Sequence, residues 1–383
     1  MTQELTESIS VIRVALLRFI PAPTLCVLEQ ADAGTPSDAA PLEISGGAGA
    51  LEGAEVVSAL QTYVDEQGSV PRRITIAGGP SIIVGSTLSP AGEREREMFL
   101  TPEECSGRDA VVRGRVAVVT GGAQGFGEEI TRSLVANGAR VIIVDLNLEG
   151  AEELSAEINA EAGPVTGAIR ADISDEASVS QMMQQVVALA GGLDLFVSNA
   201  GVLKAGSVKE LSGKDFEFVT RVNYTGFFLC SKLASRVMSA QNQAAPTERY
   251  ADIVQINSKS GLSGSNKNGA YAGSKFGGLG LVQSFALELV TDRIKVNAIC
   301  PGNFFEGPLW SDPDRGLFVQ YLRAGKVPGA ESVADVKAHY EARVPMGRGC
   351  RGEDVARALL YIVEQRYETG QAVPVTGGQI MLA

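Results

Sequence analysis

The chain of 383 residues predicts a doubly wound α/β fold with a parallel sheet, preceded by a small N-terminal α/β appendage. Three observations carry this. From Arg115 onward, strand-like runs at 115–120, 140–145, 167–171, 194–198, 252–257 and 293–299 alternate with helical patterns at 125–138, 148–161, 176–190, 214–240, 270–291 and 352–365. Such alternation builds right-handed βαβ units with helices on both faces of one sheet. The runs Val116-Ala-Val-Val119 and Val141-Ile-Ile-Val144 are apolar at every position, as strands covered on both faces must be. The first of them leads through a glycine-rich turn into a helical pattern.

The segment before it has another character. Residues 1–110 carry 7 Arg, no Lys and 16 acidic residues, whereas the rest carries 26 basic and 29 acidic ones; the boundary is accordingly drawn between 1–110 and 111–383. Residues 9–20 and 24–29 read as β-rich, and 32–53 as a Gly/Ala/Pro/Ser-rich loop. Over 54–66, Val56, Val57, Leu60, Tyr63 and Val64 fall on one helical face. Short strands are expected at 73–77 and 81–85, and a helix plus linker at 91–113.

Composition narrows the function. A net charge of −12 argues against a nucleic-acid surface. No run reaches the ~18 uninterrupted apolar residues of a membrane span; residues 11–28 are broken by Arg13, Arg18, Pro21 and Pro23. The acidic start lacks the basic region of a signal peptide, and five scattered cysteines without a Cys-x-x-Cys pair suit a reducing compartment, so a cytoplasmic location is expected. With His339 the only histidine, no metal site is expected.

In Val116-Ala-Val-Val-Thr-Gly-Gly-Ala-Gln-Gly-Phe-Gly127, glycines 121, 125 and 127 allow a tight turn and close approach of a diphosphate to a helix N-terminus. Gly121, Gln124, Gly125, Phe126 and Gly127 are thus candidate cofactor contacts. Asp145 ends the next strand, 18 residues past Gly127. A carboxylate there accepts from both hydroxyls of an adenosine ribose and repels a 2′-phosphate, which favours NAD over NADP; the alternative is a plain strand-end turn residue.

Tyr271 and Lys275 lie four apart, on one helix face, and Ser258 lies 13 residues upstream of Tyr271. A cation ~4 Å from a phenol at an effective dielectric of ~20 is worth up to ~4 kcal/mol, roughly three pKa units before desolvation. That brings a tyrosinate toward neutral pH, where a general base works best.

Thr120-Gly-x-x-x-Gly-x-Gly127, Ser198-Asn-Ala-Gly201, Asn223, Ser258, Tyr271-x-x-x-Lys275 and Pro301-Gly302 together resemble the short-chain dehydrogenase/reductase family over about residues 113–383. The resemblance implies a Rossmann-type fold with a seven-stranded parallel sheet, its last strand near 372–375. It implies that Tyr271 is the acid/base, that Lys275 lowers its pKa and holds the nicotinamide ribose, that Ser258 positions the substrate oxygen, and that Asn223 holds a water of the proton relay. Asn199, Ala200 and Gly201 would line the adenosine side and Asp172 with Ile173 the adenine. Pro301, Gly302 and Asn303 would border the nicotinamide, Asn303 replacing the family's usual Thr contact. The other readings are a helix-kink residue for Asn223 and a strand-end cap for Ser258. Position 198 is Ser where the family usually has Asn, so the turn there can differ.

Ile253–Gly261, Lys275–Gly278, Gly302-Asn303, Val344–Cys350 and Val375–Gln379 look like the sorbitol-6-phosphate 2-dehydrogenase branch. That implies NAD-dependent oxidation of D-sorbitol 6-phosphate to D-fructose 6-phosphate. A dianionic phosphate needs cationic donors. Lys259, Lys267 and Arg348, with Arg351, are the candidates; the alternative for each is a solvated surface cation. The polar loop Ser260–Asn268 suits a polyol. Two other functions stay open: a dehydrogenase or reductase of another polyol, sugar or oxoacyl substrate, and a nucleotide-sensing regulator. The resemblance implies a homodimer or homotetramer through helices 214–240 and 270–291. Residues 1–110 contain no histidine, so an active zinc aldolase is not supported there.

Overall fold

The computed structural model describes residues 6, 9–13, 25–28, 41–44, 53–67, 71, 73–76, 81–85, 111–245, 248–314, 316–323, 325 and 327–381. A four-stranded sheet is formed by β1 (Leu25–Leu28), β2 (Leu42–Ile44), β3 (Arg73–Ile76) and β4 (Ser81–Gly85), in the order β1-β4-β3-β2. Only the β2–β3 pair is parallel. Helix α1 (Gly53–Gln67) buries Val56, Leu60 and Tyr63 on the face expected from their spacing.

Two readings of this segment are corrected. Residues 9–13 are helical, not extended. Their β-branched composition suggests a strand, but Ile9 and Ile12 share a helical face, the Ser10 hydroxyl donates to the Thr6 carbonyl at 3.0 Å, and burial of all five residues decides the conformation. Residues 42–44, placed in a loop, form β2. The readings for 14–20, most of 32–53 and 86–110 fall outside the described residues.

The second sheet has seven parallel strands in the order β11-β10-β9-β8-β5-β6-β7. They are β5 (Val116–Thr120), β6 (Arg140–Asp145), β7 (Thr166–Arg170), β8 (Leu195–Ser198), β9 (Ala251–Ile256), β10 (Ile294–Pro301) and β11 (Ala372–Val375). The order reverses between β5 and β8, opening a crevice at their carboxyl ends where ligands of such sheets bind. Around the sheet lie α2 (Gly125–Ala136), α3 (Leu148–Ala162), α4 (Glu176–Ala190), α5 (Gly213–Thr220), α6 (Gly226–Ala244), α7 (Gly269–Leu289) and, late in the chain, Gly352–Glu364. The helix expected at 214–240 is broken: a π turn at Arg221–Thr225 separates α5 from α6. The stretch from 303 to 345 contains helices α8 (Pro308–Ser311), α9 (Leu317–Arg323) and α10 (Val333–Glu341), so Gly352–Glu364 is α11.

The amino edge of this sheet is held by buried charge. Asp194, just before β8, accepts from Arg13 Nη1 and Nη2 at 3.2 and 2.9 Å, from Gln241 at 3.3 Å, from the Val116 amide at 2.9 Å, and from Arg249. Burial opposes its ionisation, but Arg13 and Arg249 outweigh that and hold the carboxyl well below the usual carboxylate range. Beside it Asp252 pairs with Lys295 at 2.9 Å and Arg115 at 3.2 Å. Arg13 thus links the N-terminal segment to the strand pair that frames the crevice.

Removing one partner from a buried pair leaves charge without compensation. Arg13→Ala is expected to cost about 3 kcal/mol, less than full loss of the pair would because Arg249 remains. Urea unfolding of the full chain measures it, and a change below about 0.5 kcal/mol, the size of an ordinary surface substitution, contradicts the linkage.

Candidate active site

Gly121, directly after β5, has φ +61°, and a Cβ there would stand 2.8 Å from the Ala200 Cα. A Cβ on Gly127 would stand 2.0 Å from the Gly121 carbonyl oxygen. The turn can therefore close on itself only with glycine at both positions. Asn199 Nδ2 donates to the carbonyls of Thr120 and Gly121, both at 3.0 Å. The Thr120 hydroxyl in return accepts the amides of Asn199 and Ala200 at 3.0 and 3.2 Å. These bonds lace β5 to β8 at the crevice, beside the start of α2 where a dinucleotide's diphosphate would fit. Ser198 stays in register opposite Gln255, so the turn after it keeps its bracing despite the residue change.

Asp145 ends β6 and accepts the amides of Ala123 at 3.2 Å and Asn147 at 3.0 Å. A carboxylate offers about four lone-pair sites, so capacity remains for ribose hydroxyls. Asp172 is exposed and accepts from Ser174, whereas Ile173 is buried against Gly226.

Four expected residues converge across the crevice. The π turn carries Asn223, whose Oδ1 accepts the Val202 amide at 2.8 Å. Its Nδ2 donates to the Val202 carbonyl at 2.9 Å and to Ser274 Oγ at 3.1 Å. Ser274 donates on to the Tyr271 carbonyl at 2.7 Å, which fastens the first turns of α7 to the loop after β8. The Asn223 amide is thus consumed by protein groups. Ser258 caps a short 3₁₀ turn, Lys259–Gly261, by accepting the Ser260 amide at 3.1 Å, and it also hydrogen-bonds the Tyr271 phenol. Lys275 is buried, donates to the Ile256 carbonyl at 2.9 Å, and places its ammonium 5.6 Å from the Tyr271 ring centroid. Gly201 joins the two halves, because a Cβ there would lie 3.3 Å from Asn223 Oδ1 and 3.8 Å from Lys275 Nζ.

Burial pushes the Tyr271 phenol up, with the Ser258 hydrogen bond pulling the other way and nearby Cys300 adding to the rise. Burial also brings the Lys275 pKa down to about 8, and one of its three N–H groups donates to Ile256. Two residues of the site escaped the sequence reading. Asn257 donates to the Lys275 carbonyl at 2.9 Å and accepts the Ser258 amide at 2.8 Å, tying the two together. Cys300 lies beside Lys275 and Ser258, its thiol pushed up to about 11 by burial. An Asn preceding Ser258 at a strand end was the available signal for the first; nothing in the sequence pointed to the second.

The cationic candidates do not gather. Arg348 is held by Asp354, at 2.6 and 2.9 Å, donates to Gly349 at 2.8 Å and fixes the start of α11. Arg351 caps the same helix. Lys267 is exposed at φ 55°, its carbonyl accepting the Gly206 amide at 2.9 Å. The half-buried Lys259 lies in the 3₁₀ turn, and burial lowers its pKa. Asn303 accepts the Cys350 amide at 2.8 Å through its carbonyl, and the Gly302 amide donates to Val375 at 2.9 Å. Among the described residues no cluster of metal-ligating side chains occurs, and no helix is long and apolar enough to cross a membrane.

A family profile for short chain dehydrogenases matches residues 115–309. Sorbitol-6-phosphate 2-dehydrogenase of Escherichia coli (strain K12) is 37% identical over 271 residues, 70% of this chain and 99% of that protein. Among solved structures, sorbitol-6-phosphate 2-dehydrogenase SrlD from Erwinia amylovora aligns with TM-score 0.64 and 36% identity, over 70% of this chain and 100% of that one. The NADP active-site complex of Pseudomonas aeruginosa RhlG aligns with TM-score 0.61 and 29% identity, over 72% and 99%.

The lowered pKa of Lys275 makes a pH prediction. A folded value of about 8 against an ordinary 10.5 means the unfolded chain binds more protons between those limits, so stability from this group rises with pH there and its cost is complete below pH 8. Wild type should gain on Lys275→Met by about 1–2 kcal/mol between pH 7.5 and 9.5. Parallel urea titrations at the two pH values read this; a constant difference contradicts it.

Proposed function

The chain belongs to the short chain dehydrogenase family, and from that premise we propose that it oxidises D-sorbitol 6-phosphate at C2 to D-fructose 6-phosphate with NAD. One observation carries the reaction class: Ser258, Tyr271 and Lys275 meet at the crevice between β5 and β8, opposite the glycine turn that opens α2. The similarity to sorbitol-6-phosphate 2-dehydrogenases supports the substrate. Asp145 supports NAD, since its carboxylate would repel a 2′-phosphate.

Residues Gly121, Gln124, Gly125, Phe126 and Gly127 would receive the diphosphate, Asp145 the adenosine ribose, and Asp172 and Ile173 the adenine. Asn199, Ala200, Gly201, Pro301, Gly302 and Asn303 would complete the cleft. NAD, when bound, supplies the hydride acceptor. Ser258 holds the substrate hydroxyl, and Tyr271 withdraws its proton. Tyr271 ionises against burial, so the Ser258 hydrogen bond and the Lys275 ammonium must together favour the phenolate during turnover. The Asn223 side chain is occupied, so a relay water would rest on its main-chain carbonyl at the π turn, where α-helical bonding is interrupted. Lys259, Lys267 and Arg348 are the cationic candidates for the substrate phosphate. Phe228 on α6 and Phe276 on α7, 42% and 47% exposed, support a homodimer or homotetramer through those helices.

Two measurements test this. Tyr271→Phe should lower NADH formation from sorbitol 6-phosphate about 10²–10⁴-fold, the range of general acid–base catalysis. Retention of most activity would remove Tyr271 from its role. A panel of polyols, polyol phosphates and ketones should show the highest kcat/KM with sorbitol 6-phosphate. Preference for an unphosphorylated polyol or a ketone overturns the substrate, and turnover of none revives a nucleotide-sensing role.

A further inference from the structure

The segment after β10 is a compact lid with its own core. Phe305, Trp310, Phe318 and Val336 are buried together, with Trp310 ring centroids 5.0 Å from Phe305, 5.1 Å from Phe318 and 5.2 Å from Tyr340. Its two ends are tied at the neck, where the Cys350 amide donates to the Asn303 carbonyl at 2.8 Å. Gly349 lies against the same neck; a Cβ there would stand 2.8 Å from the Phe305 ring and 3.0 Å from the Asn303 carbonyl oxygen. The lid is therefore a packed unit closed at its neck.

This body rests on the phosphate turn at two adjacent residues. Phe304 stacks on Phe126, centroids 4.4 Å apart and planes 14° from parallel. Pro308 Cδ lies 3.8 Å from where a Cβ on Gly125 would be. The Phe304 pose is built in: the Gly307 amide closes a turn on the Phe304 carbonyl at 3.1 Å, and a Cβ on Gly307 would lie 2.4 Å from the ring. Phe304 thus faces the turn while its neighbour Phe305 anchors the lid core.

We infer that Phe304 is a positioning residue for the dinucleotide: stacked on Phe126, it latches the lid against the phosphate turn, and the cofactor leaves when that stack parts. This rests on reading the crevice as a nicotinamide-dinucleotide site. It adds that the lid is fastened to the cofactor side of the crevice, so that residence of the cofactor is set by an aromatic pair outside the reacting groups.

Trp310 is the only tryptophan in the chain and sits in the lid core, so energy transfer from it to bound NADH reports both release and lid position. Stopped-flow displacement of NADH by excess NAD gives the release rate. Phe304→Ala and Phe126→Ala should each speed release about 2- to 13-fold, the range of one aromatic pair, and the double variant should add nothing beyond the larger single effect. Phe304→Tyr should release as wild type does, and Phe304→Leu faster. Unchanged release in Phe304→Ala, additive effects, or equal release by the Leu and Tyr variants overturns the latch. The last comparison decides if the unliganded Ala variant shows red-shifted Trp310 emission, the sign of a disrupted lid. A wild type that binds NADPH but not NADH overturns the choice of NAD, and the same variants with NADPH then decide the latch. Binding of neither overturns both.

Discussion

The structure depends on compensation of one buried carboxylate. Asp194 sits in the interior at the amino edge of the parallel sheet, where an isolated charge would not be tolerated. Arg13 grips it with two bonds, Arg249 adds a third cationic contact, Gln241 reaches it from α6, and the Val116 amide ties it to β5. Four separate parts of the chain are thus brought to one pair of oxygens. The strands so fixed, β5 and β8, are those whose far ends carry the glycine turn and Asn199. Order at one edge of the sheet sets the register of the crevice at the other.

Within the crevice each reacting group is held by something other than its reacting partner. Lys275 leans on the Ile256 carbonyl, Ser258 on Asn257, Asn223 on Val202 and Ser274, and Ser274 on the Tyr271 backbone. Such support costs no donor or acceptor on the Tyr271 hydroxyl beyond its bond with Ser258. It also explains why burial dominates the acid/base properties. The same walls that orient the phenol and the ammonium strip them of water, raising one pKa and lowering the other.

Much of this was legible in the sequence because it rests on period and spacing. All-apolar strands, helix-forming intervals and the glycine turn locate β5, α2 and β6 within a residue or two, and the Tyr271–Lys275 interval places both on α7. What escaped depends on partners distant in sequence. The helical state of 9–13 follows from burial beneath the sheet edge and the reach of Arg13 to Asp194. The π turn at 221–225 follows from Asn223 facing the loop after β8. Arg348 reads as a free cation beside a lid, yet Asp354 six residues on takes it into a helix start. Spacing gives Tyr271 and Lys275 a shared face but not the direction of the Nζ, one of whose N–H groups goes to Ile256.

The Arg13–Asp194 pair spans 181 residues, which has a meaning during synthesis. At about 5–20 residues per second, Arg13 is added to the chain roughly 10–35 s before its carboxylate partner. The N-terminal segment must therefore stay soluble through that interval, and its 16 acidic residues against 7 arginines and no lysine supply a repulsive net charge suited to waiting. Docking it is a long-range closure that waits until Asp194 has been made.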